Sequence, residues 1–181
     1  MVCNSHRNSR NSSSYKYFQS KSSWRTKILE KFKIIEAKTK KEHNESYKIR
    51  YEVFVQEQGV PKELEIDDYD ENSITCLVTL GGTYIATGRV LPLDKVIGKI
   101  GRMAIRKNYR RIGVGGLILD FLETKAKENG ISEITLHAQN YVRNFYLYNG
   151  YKTEGKLFFE AGIEHIKMNK KIYWMWSSSD I

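Results

Sequence analysis

The sequence predicts a mixed α/β (α+β) domain built on one sheet. Three observations carry this. Apolar and polar residues alternate in several short runs, two long segments repeat apolar residues at helical spacing, and hairpins at both ends flank one strand–helix–strand crossover. Residues 33–37 read as a short first strand. Residues 42–58 read as a helix, with Ile49, Val53 and Phe54 on one face, and Pro61 prevents simple continuation. Residues 73–80 and 83–91 pair across the tight turn Gly81-Gly82, and Pro92 ends the pair. Residues 99–105 form a third long strand. Residues 113–127 form a helix with Ile118, Phe121, Leu122 and Ala126 on one face, stopped by Asn129-Gly130. Residues 133–138 alternate Ile134, Leu136 and Ala138 against Thr135, His137 and Gln139, which marks a strand. Residues 141–148 form a short helix closed by Asn149-Gly150. Residues 151–159 and 163–172 make the last hairpin, turning at Ala161-Gly162.

The chain has 181 residues, 40% of them hydrophobic, which suits one domain with a core and excludes a wholly disordered chain. No run of about 18 apolar residues exists, so neither a spanning helix nor a membrane partner is expected. Cys3 and Cys76 cannot build a disulfide scaffold and point to a reducing, cytoplasmic compartment. The net charge of +9 sits mostly at one end: residues 1–29 hold six basic residues and no acid. That Ser/Asn-rich segment reads as a disordered tail ahead of a domain at 30–172, with a second short tail at 173–181. It has no secretory h-region, and its Ser/Arg-rich character also fits an organelle presequence. It lacks interleaved aromatics or a recognition helix, so no nucleic-acid partner is expected.

Within the domain, residues 52–71 hold eight acids and one Lys, and residues 98–116 hold six bases and no acid. Two such stretches suggest two ligands of opposite charge, with ordinary solvated loops as the alternative. The basic stretch is the more informative. A strand, residues 99–105, runs into Arg106-Lys107-Asn108-Tyr109-Arg110-Arg111-Ile112-Gly113-Val114-Gly115-Gly116, where a helix opens. Unpaired N–H groups and the positive dipole end of a helix start attract anions, and glycines let the backbone approach them. Arg110 and Arg111 can add charge-assisted hydrogen bonds. The expected ligand is a diphosphate. The P-loop Lys-Ser/Thr ending and the dinucleotide fingerprint are both missing.

Here the sequence resembles a family. Arg110-x-x-Gly113-x-Gly115 is similar to the R/Q-x-x-G-x-G/A signature of the GNAT superfamily of acetyl-CoA-dependent N-acetyltransferases. Asn140 and the run Phe145-Tyr146-Leu147-Tyr148-Asn149-Gly150-Tyr151 look like that family's following segment. Two further segments, Arg50-x-x-Val53-Phe54-Val55-x-Glu57-Gln58 and Glu160-Ala161-Gly162-Ile163-x-His165-x-x-Met168, resemble a branch of small single-domain members. That branch is similar to protozoan glucosamine-6-phosphate N-acetyltransferases. The resemblance implies a six- to seven-stranded, mostly antiparallel sheet with splayed parallel strands 4 and 5, flanked by helices. It implies acetyl-CoA as co-substrate, a small amine acceptor such as an amino-sugar phosphate, and a homodimer as a common assembly; a protein or peptide acceptor and a non-catalytic acetyl-CoA-binding module are the alternatives.

By the same resemblance, Met103, Ala104 and Ile105 offer main-chain groups to pantetheine. Arg110, Arg111, Ile112, Gly113, Val114, Gly115 and Gly116 hold the pyrophosphate, and Asn140 bonds the pantetheine arm. Tyr146 gives a proton to the leaving thiolate and touches the cofactor; a phenol suits that role. The base is open among Glu57, His137 and relayed water. Arg50 and Glu57 are seven apart, so a regular helix puts them on one face, as a site wall or a structural ion pair. As a wall, Arg50 would bind a substrate anion and Glu57 the amine. Glu160 and His165 either line the acceptor pocket or shape the last turn. His6, His43, His137 and His165 are scattered and no Cys pair has zinc spacing, so no metal is expected. No cysteine takes a nucleophile position, which favours direct transfer in a ternary complex over an acyl-enzyme.

Overall fold

The structure, a computed structural model, describes residues 31–65 and 67–173. The basic tail expected at 1–29 and residues 174–181 of the second tail lie outside them. Seven strands form one sheet: β1 (Phe32–Glu36), β2 (Ile74–Leu80), β3 (Thr83–Pro92), β4 (Ile97–Ile105), β5 (Glu133–Gln139), β6 (Lys152–Glu160) and β7 (Ile163–Lys171). Their spatial order is β1-β2-β3-β4-β5-β7-β6. Among the described residues, four α-helices accompany them: α1 (Lys40–Arg50), α2 (Lys62–Glu65), α3 (Val114–Glu128) and α4 (Arg143–Tyr148).

Antiparallel pairs account for β2–β3, β3–β4, β5–β7 and β6–β7. The β4–β5 pair is parallel, and it is short. Its register covers only Ile97 with Glu133, Gly98 with Ile134 and Lys99 with Thr135. Beyond Lys99, β4 keeps β3 on one edge and loses β5 on the other, so the two parallel strands splay as expected.

The helices take opposite faces of this sheet. Helix α1 starts two residues earlier than apolar spacing alone suggests, because Thr39 and Glu42 form a reciprocal capping box. It buries Ile49 against Ala37, Leu77, Val53 and Ala104, at about 1.5–3 kcal/mol for each large apolar side chain. A buried chain from Ser46 to the Thr87 hydroxyl (2.8 Å) to the Cys76 carbonyl (2.7 Å) fixes α1 over β2 and β3. The next residue, Gly88, faces the other way and meets Ile118 and Leu122 of α3. There Ile118, Leu119, Leu122 and Ala126 are buried.

The helix expected over 42–58 is one continuous rod of two kinds. Its second half, Tyr51–Glu57, is a wider π-type helix. Wider turns hold more residues, so Arg50 and Glu57 no longer return to one face. Two short pieces were not legible in sequence: α2, and the single 3₁₀ turn Asp68–Asp70 capped by Asp67.

Candidate active site

The stretch expected to cradle the cofactor starts where β4 ends. A 3₁₀ turn at Lys107–Tyr109 leads into a left-handed pair of conformations, Arg111 at φ 64° and Gly113 at φ 97°. Left-handed residues in such a turn let successive N–H groups face a common anion. Among the described residues, the N–H groups of Arg111, Ile112, Gly113, Val114 and Gly115 have no hydrogen-bond acceptor. They sit at the N-terminus of the 15-residue α3, and together they form an anion cradle. A Cβ on Gly115 would lie 3.1 Å from the Phe145 ring, so this glycine lets α4 close against the start of α3. These features fit a bound pyrophosphate.

The splay supplies the slot beside the cradle. Met103, Ala104 and Ile105 lie on β4 past its last pair with β5, leaving one main-chain edge open. Tyr146 of α4 is 9% exposed, and its hydroxyl donates to the Met103 sulfur at 3.6 Å. Its ring packs edge-on against Phe145 and Tyr151. Burial, then the nearby Tyr141, raises its pKa well above the usual phenol value, so it is a neutral donor at neutral pH. Asn140 donates to Glu164 at 2.5 Å, which places it just past the end of β5.

The α1 face, expected to meet the acceptor, differs from the expectation of two charged ligands. The acidic and basic stretches pair with each other. Arg106 forks onto Glu52 at 2.7 and 2.8 Å and also donates to the Tyr84 carbonyl at 2.6 Å. Arg110 forks onto Glu57, both contacts 2.6 Å, and its Nε donates to the Ile105 carbonyl at 2.8 Å. Arg102 reaches Glu65 (3.3 Å) and Asp67 (3.0 Å). Hence the Arg110 guanidinium is engaged by Glu57 of the π-type helix and by the Ile105 carbonyl of β4. The hydrogen bond from Arg110 lowers the Glu57 pKa. That makes Glu57 a weaker base than its position suggested.

Arg50 is corrected more sharply. It is 1% exposed, so it has no free face for a substrate anion. Its guanidinium bonds the carboxylate and the main-chain carbonyl of Glu65 (the latter 2.7 Å) and both oxygens of Asp70 (2.6 and 3.1 Å). Arg89 of β3 completes the network through Asp67 and Asp70. Asp70 and Glu65, expected as part of a ligand-attracting surface, instead clamp the 62–70 segment to α1 and the sheet. The structural-pair alternative therefore holds for Arg50, with partners the spacing did not suggest.

His137 and Gln139 project from β5 to the α1 face. Gln139 donates to Gln58 at 2.9 Å, Gln58 donates to Tyr141 at 3.2 Å, and Tyr141 donates back to Gln139 at 2.5 Å. This ring joins the end of the π-type helix to the end of β5. Sequence reading missed all three residues, and only Gln139's place on the polar side of β5 hinted at them. His137 Nδ1 lies 2.8 Å from Glu160. His165 is 8% exposed, with Nδ1 2.8 Å from the Ile163 carbonyl, so it shapes the last hairpin. Among the described residues, no group of three or more His, Cys, Asp or Glu could hold a metal, and no helix is long and apolar enough to cross a membrane.

Comparison with known proteins gives the same picture. Residues 34–172 match a protein-family model described as an acetyltransferase (GNAT) domain. The uncharacterised N-acetyltransferase YjcF of Bacillus subtilis (strain 168) is 37% identical over 139 residues, 76% of this chain and 99% of that protein. Escherichia coli ElaA superposes with a TM-score of 0.68 at 24% identity, over 77% of this chain and 98% of that one. A GNAT family acetyltransferase from Elizabethkingia anophelis, solved with acetyl-CoA bound, superposes with a TM-score of 0.60 at 18% identity, covering 78% and 98%. Splayed sheet, cradle and sequence kinship agree: the chain belongs to the GNAT family of acetyl-CoA-dependent N-acetyltransferases.

Proposed function

We propose that the enzyme moves an acetyl group directly from acetyl-CoA to a small primary amine, within one ternary complex. The observation that carries this is the buried Tyr146 hydroxyl at the open edge of β4, beside the anion cradle. Acetyl-CoA supplies the activated thioester. The chain's N–H groups from Arg111 to Gly115 bind its phosphates, with Gly116 continuing the first turn of α3. Met103, Ala104 and Ile105 offer main-chain partners to the pantetheine arm, and Asn140 lies near its path. Tyr146 holds the proton that the departing thiolate needs. His137 is the stronger base candidate, because Glu57 is held as a carboxylate by Arg110.

The acceptor proposed is an amino-sugar phosphate such as glucosamine 6-phosphate. With Arg50 buried, Lys99 is a cation on the His137 face that a phosphate could meet, while Lys167 on that face is paired with Glu154 at 3.1 Å. A basic peptide finds less support: Glu52, Glu57, Glu65, Asp67 and Asp70 are all engaged by arginines. We place the enzyme in a reducing, cytoplasmic setting, consistent with the buried Cys76 thiol, whose pKa burial pushes up to about 12. A homodimer is the proposed assembly, and light scattering decides it.

The test is a panel of amines (glucosamine 6-phosphate, glucosamine, polyamines, peptide α-amines, lysine peptides) assayed for released CoA thiol. Turnover with the sugar phosphate supports the assignment, and turnover with peptides alone rejects it. Tyr146→Phe should lower kcat by about 10² or more with any active acceptor. Unchanged turnover would remove Tyr146 from the mechanism.

A further inference from the structure

We propose that Glu160 is a positioning residue that fixes the tautomer of His137, holding its proton on Nδ1 and presenting Nε2 as the basic nitrogen. The proposal rests on the reading of His137 as the base, and deepens it.

The strands bring these groups together. His137 pairs in register with Lys167 of β7, and His165 pairs with both Gln139 of β5 and Phe158 of β6. In-register antiparallel partners share a face, so His137, His165 and Phe158 lie on one side. Glu160, two residues beyond Phe158, shares it. The Glu160 side chain reaches across β7 and stops 2.8 Å from His137 Nδ1. A bulge in β6 around Gly155, at φ 75°, bends the strand before it delivers these two side chains.

The chemistry then assigns the proton. An ionised carboxylate only accepts hydrogen bonds, and a neutral imidazole carries one N–H. A hydrogen bond between them therefore needs the proton on Nδ1, which leaves the lone pair on Nε2. Glu160 is ionised at neutral pH. Desolvation pushes its pKa up, but the His137 hydrogen bond and the charges of His137, His165 and Lys99 outweigh this and bring it below the usual carboxylate range. The ring is also held in place. Phe158 packs against it edge-on, with centroids 4.9 Å apart and planes at 78°, and Phe158 in turn stacks on His165 at 6.0 Å. The charged and titratable groups around His137 are thus Glu160 from β6, Lys167 and His165 from β7, and Lys99 of β4 acting through Glu160. None of the others contacts its ring nitrogens as Glu160 does. This moves Glu160 from the acceptor pocket to the support of the base.

The test uses the full chain labelled with ¹⁵N-histidine at neutral pH, with His137→Gln identifying the His137 signals. The expected spectrum shows a protonated Nδ1 and an unprotonated Nε2. Glu160→Gln should shift the population toward the Nε2–H form, and Glu160→Asp should restore part of the original. A wild-type Nε2–H tautomer, or an unchanged tautomer in Glu160→Gln, would overturn the proposal. Kinetics separates positioning from substrate contact. Glu160→Gln should lower kcat about tenfold or more with acceptor KM within about threefold, inside the range that acid–base groups contribute. A raised KM at constant kcat would make Glu160 a substrate contact and sink the idea. Should His137→Gln keep full turnover and the acidic limb of its pH profile, the base reading fails, and the spectra alone then judge the pairing.

Discussion

Helices α3 and α1 lie on opposite faces of the same strands, and they are attached by different physics. On the α3 face, Ile118, Leu119, Leu122 and Ala126 are buried, and the proposed cofactor surface is a row of main-chain N–H groups. On the α1 face, the segment 62–70 and the π-type helix are held by arginines from α1 itself, β3, β4 and the turn after β4. Arg50, Arg89, Arg102, Arg106 and Arg110 each meet at least one carboxylate. The difference teaches how one charge-rich sequence can build a ligand site with few free charges. The basic stretch after residue 98 braces the α1 face through ion pairs, and the proposed cradle offers backbone N–H groups. Two sides built this way should fail differently.

The largest expected effect is on the α1 face. Arg50→Leu strips Glu65 and Asp70 of their buried main partner, leaving Glu65 only Arg102 at 3.3 Å and Asp70 only Arg89 at 2.6 Å. Removing one member of a buried pair costs about 3–5 kcal/mol. Urea unfolding should show that loss, with a Tm drop of about 10 °C for a chain of this size. A change below about 1 kcal/mol would mean that the network is dispensable.

Gly113→Ala sharpens the contrast from the other face. At φ 97° a Cβ costs about 1–2 kcal/mol in the cradle conformation. The acetyl-CoA KM should rise about 5- to 30-fold, while kcat and the acceptor KM stay near wild type. Steady-state kinetics with each substrate varied in turn checks it, and equal effects on both KM values would blur the distinction between faces.

Acid should loosen the α1 face first. Glu57 is held below the usual range by its hydrogen bond from Arg110. For Asp67, burial raises the pKa, but Arg89 and Arg102 outweigh it and the net shift is down. Carboxylates with depressed folded pKa values contribute stability above about pH 4, and lose it as pH falls through those lowered values. Hydrogen exchange at pH 3 against pH 6 should therefore show residues 52–71 opening before the start of α3. The reverse order would contradict the assignment.

The smallest effect belongs to Glu57→Gln. Exposed pairs of this kind are worth about 0.2–1 kcal/mol, so Tm should hardly move. Since Glu57 is not the base in this account, its acidic pH–rate limb should stay in place. A lost limb would restore Glu57 as the base.

Much of this architecture was legible in the sequence because its signals are local. Gly81-Gly82 and Ala161-Gly162 announced hairpins, and the alternation in residues 133–138 announced β5. The Arg110–Gly116 stretch announced a cradle because strand, glycines and helix start adjoin in the chain. The acceptor side was not legible. Glu57 meets Arg110 across 53 residues and Arg106 meets Glu52 across 54, and no local pattern encodes such partners. Seven-residue spacing misled at Arg50 and Glu57 because nothing in Tyr51-Glu52-Val53-Phe54-Val55 signals a wider helix. The Gln58–Gln139–Tyr141 ring escaped for the same reason, since it joins two elements about 80 residues apart.

The central claim is that Arg110 braces the acceptor wall while main-chain N–H groups hold the cofactor. Calorimetric titration of acetyl-CoA into Arg110→Gln tests it directly. The account predicts a Kd within about threefold of wild type. A Kd weakened tenfold or more, about 1.4 kcal/mol, would contradict it and return the Arg110 guanidinium to the pyrophosphate.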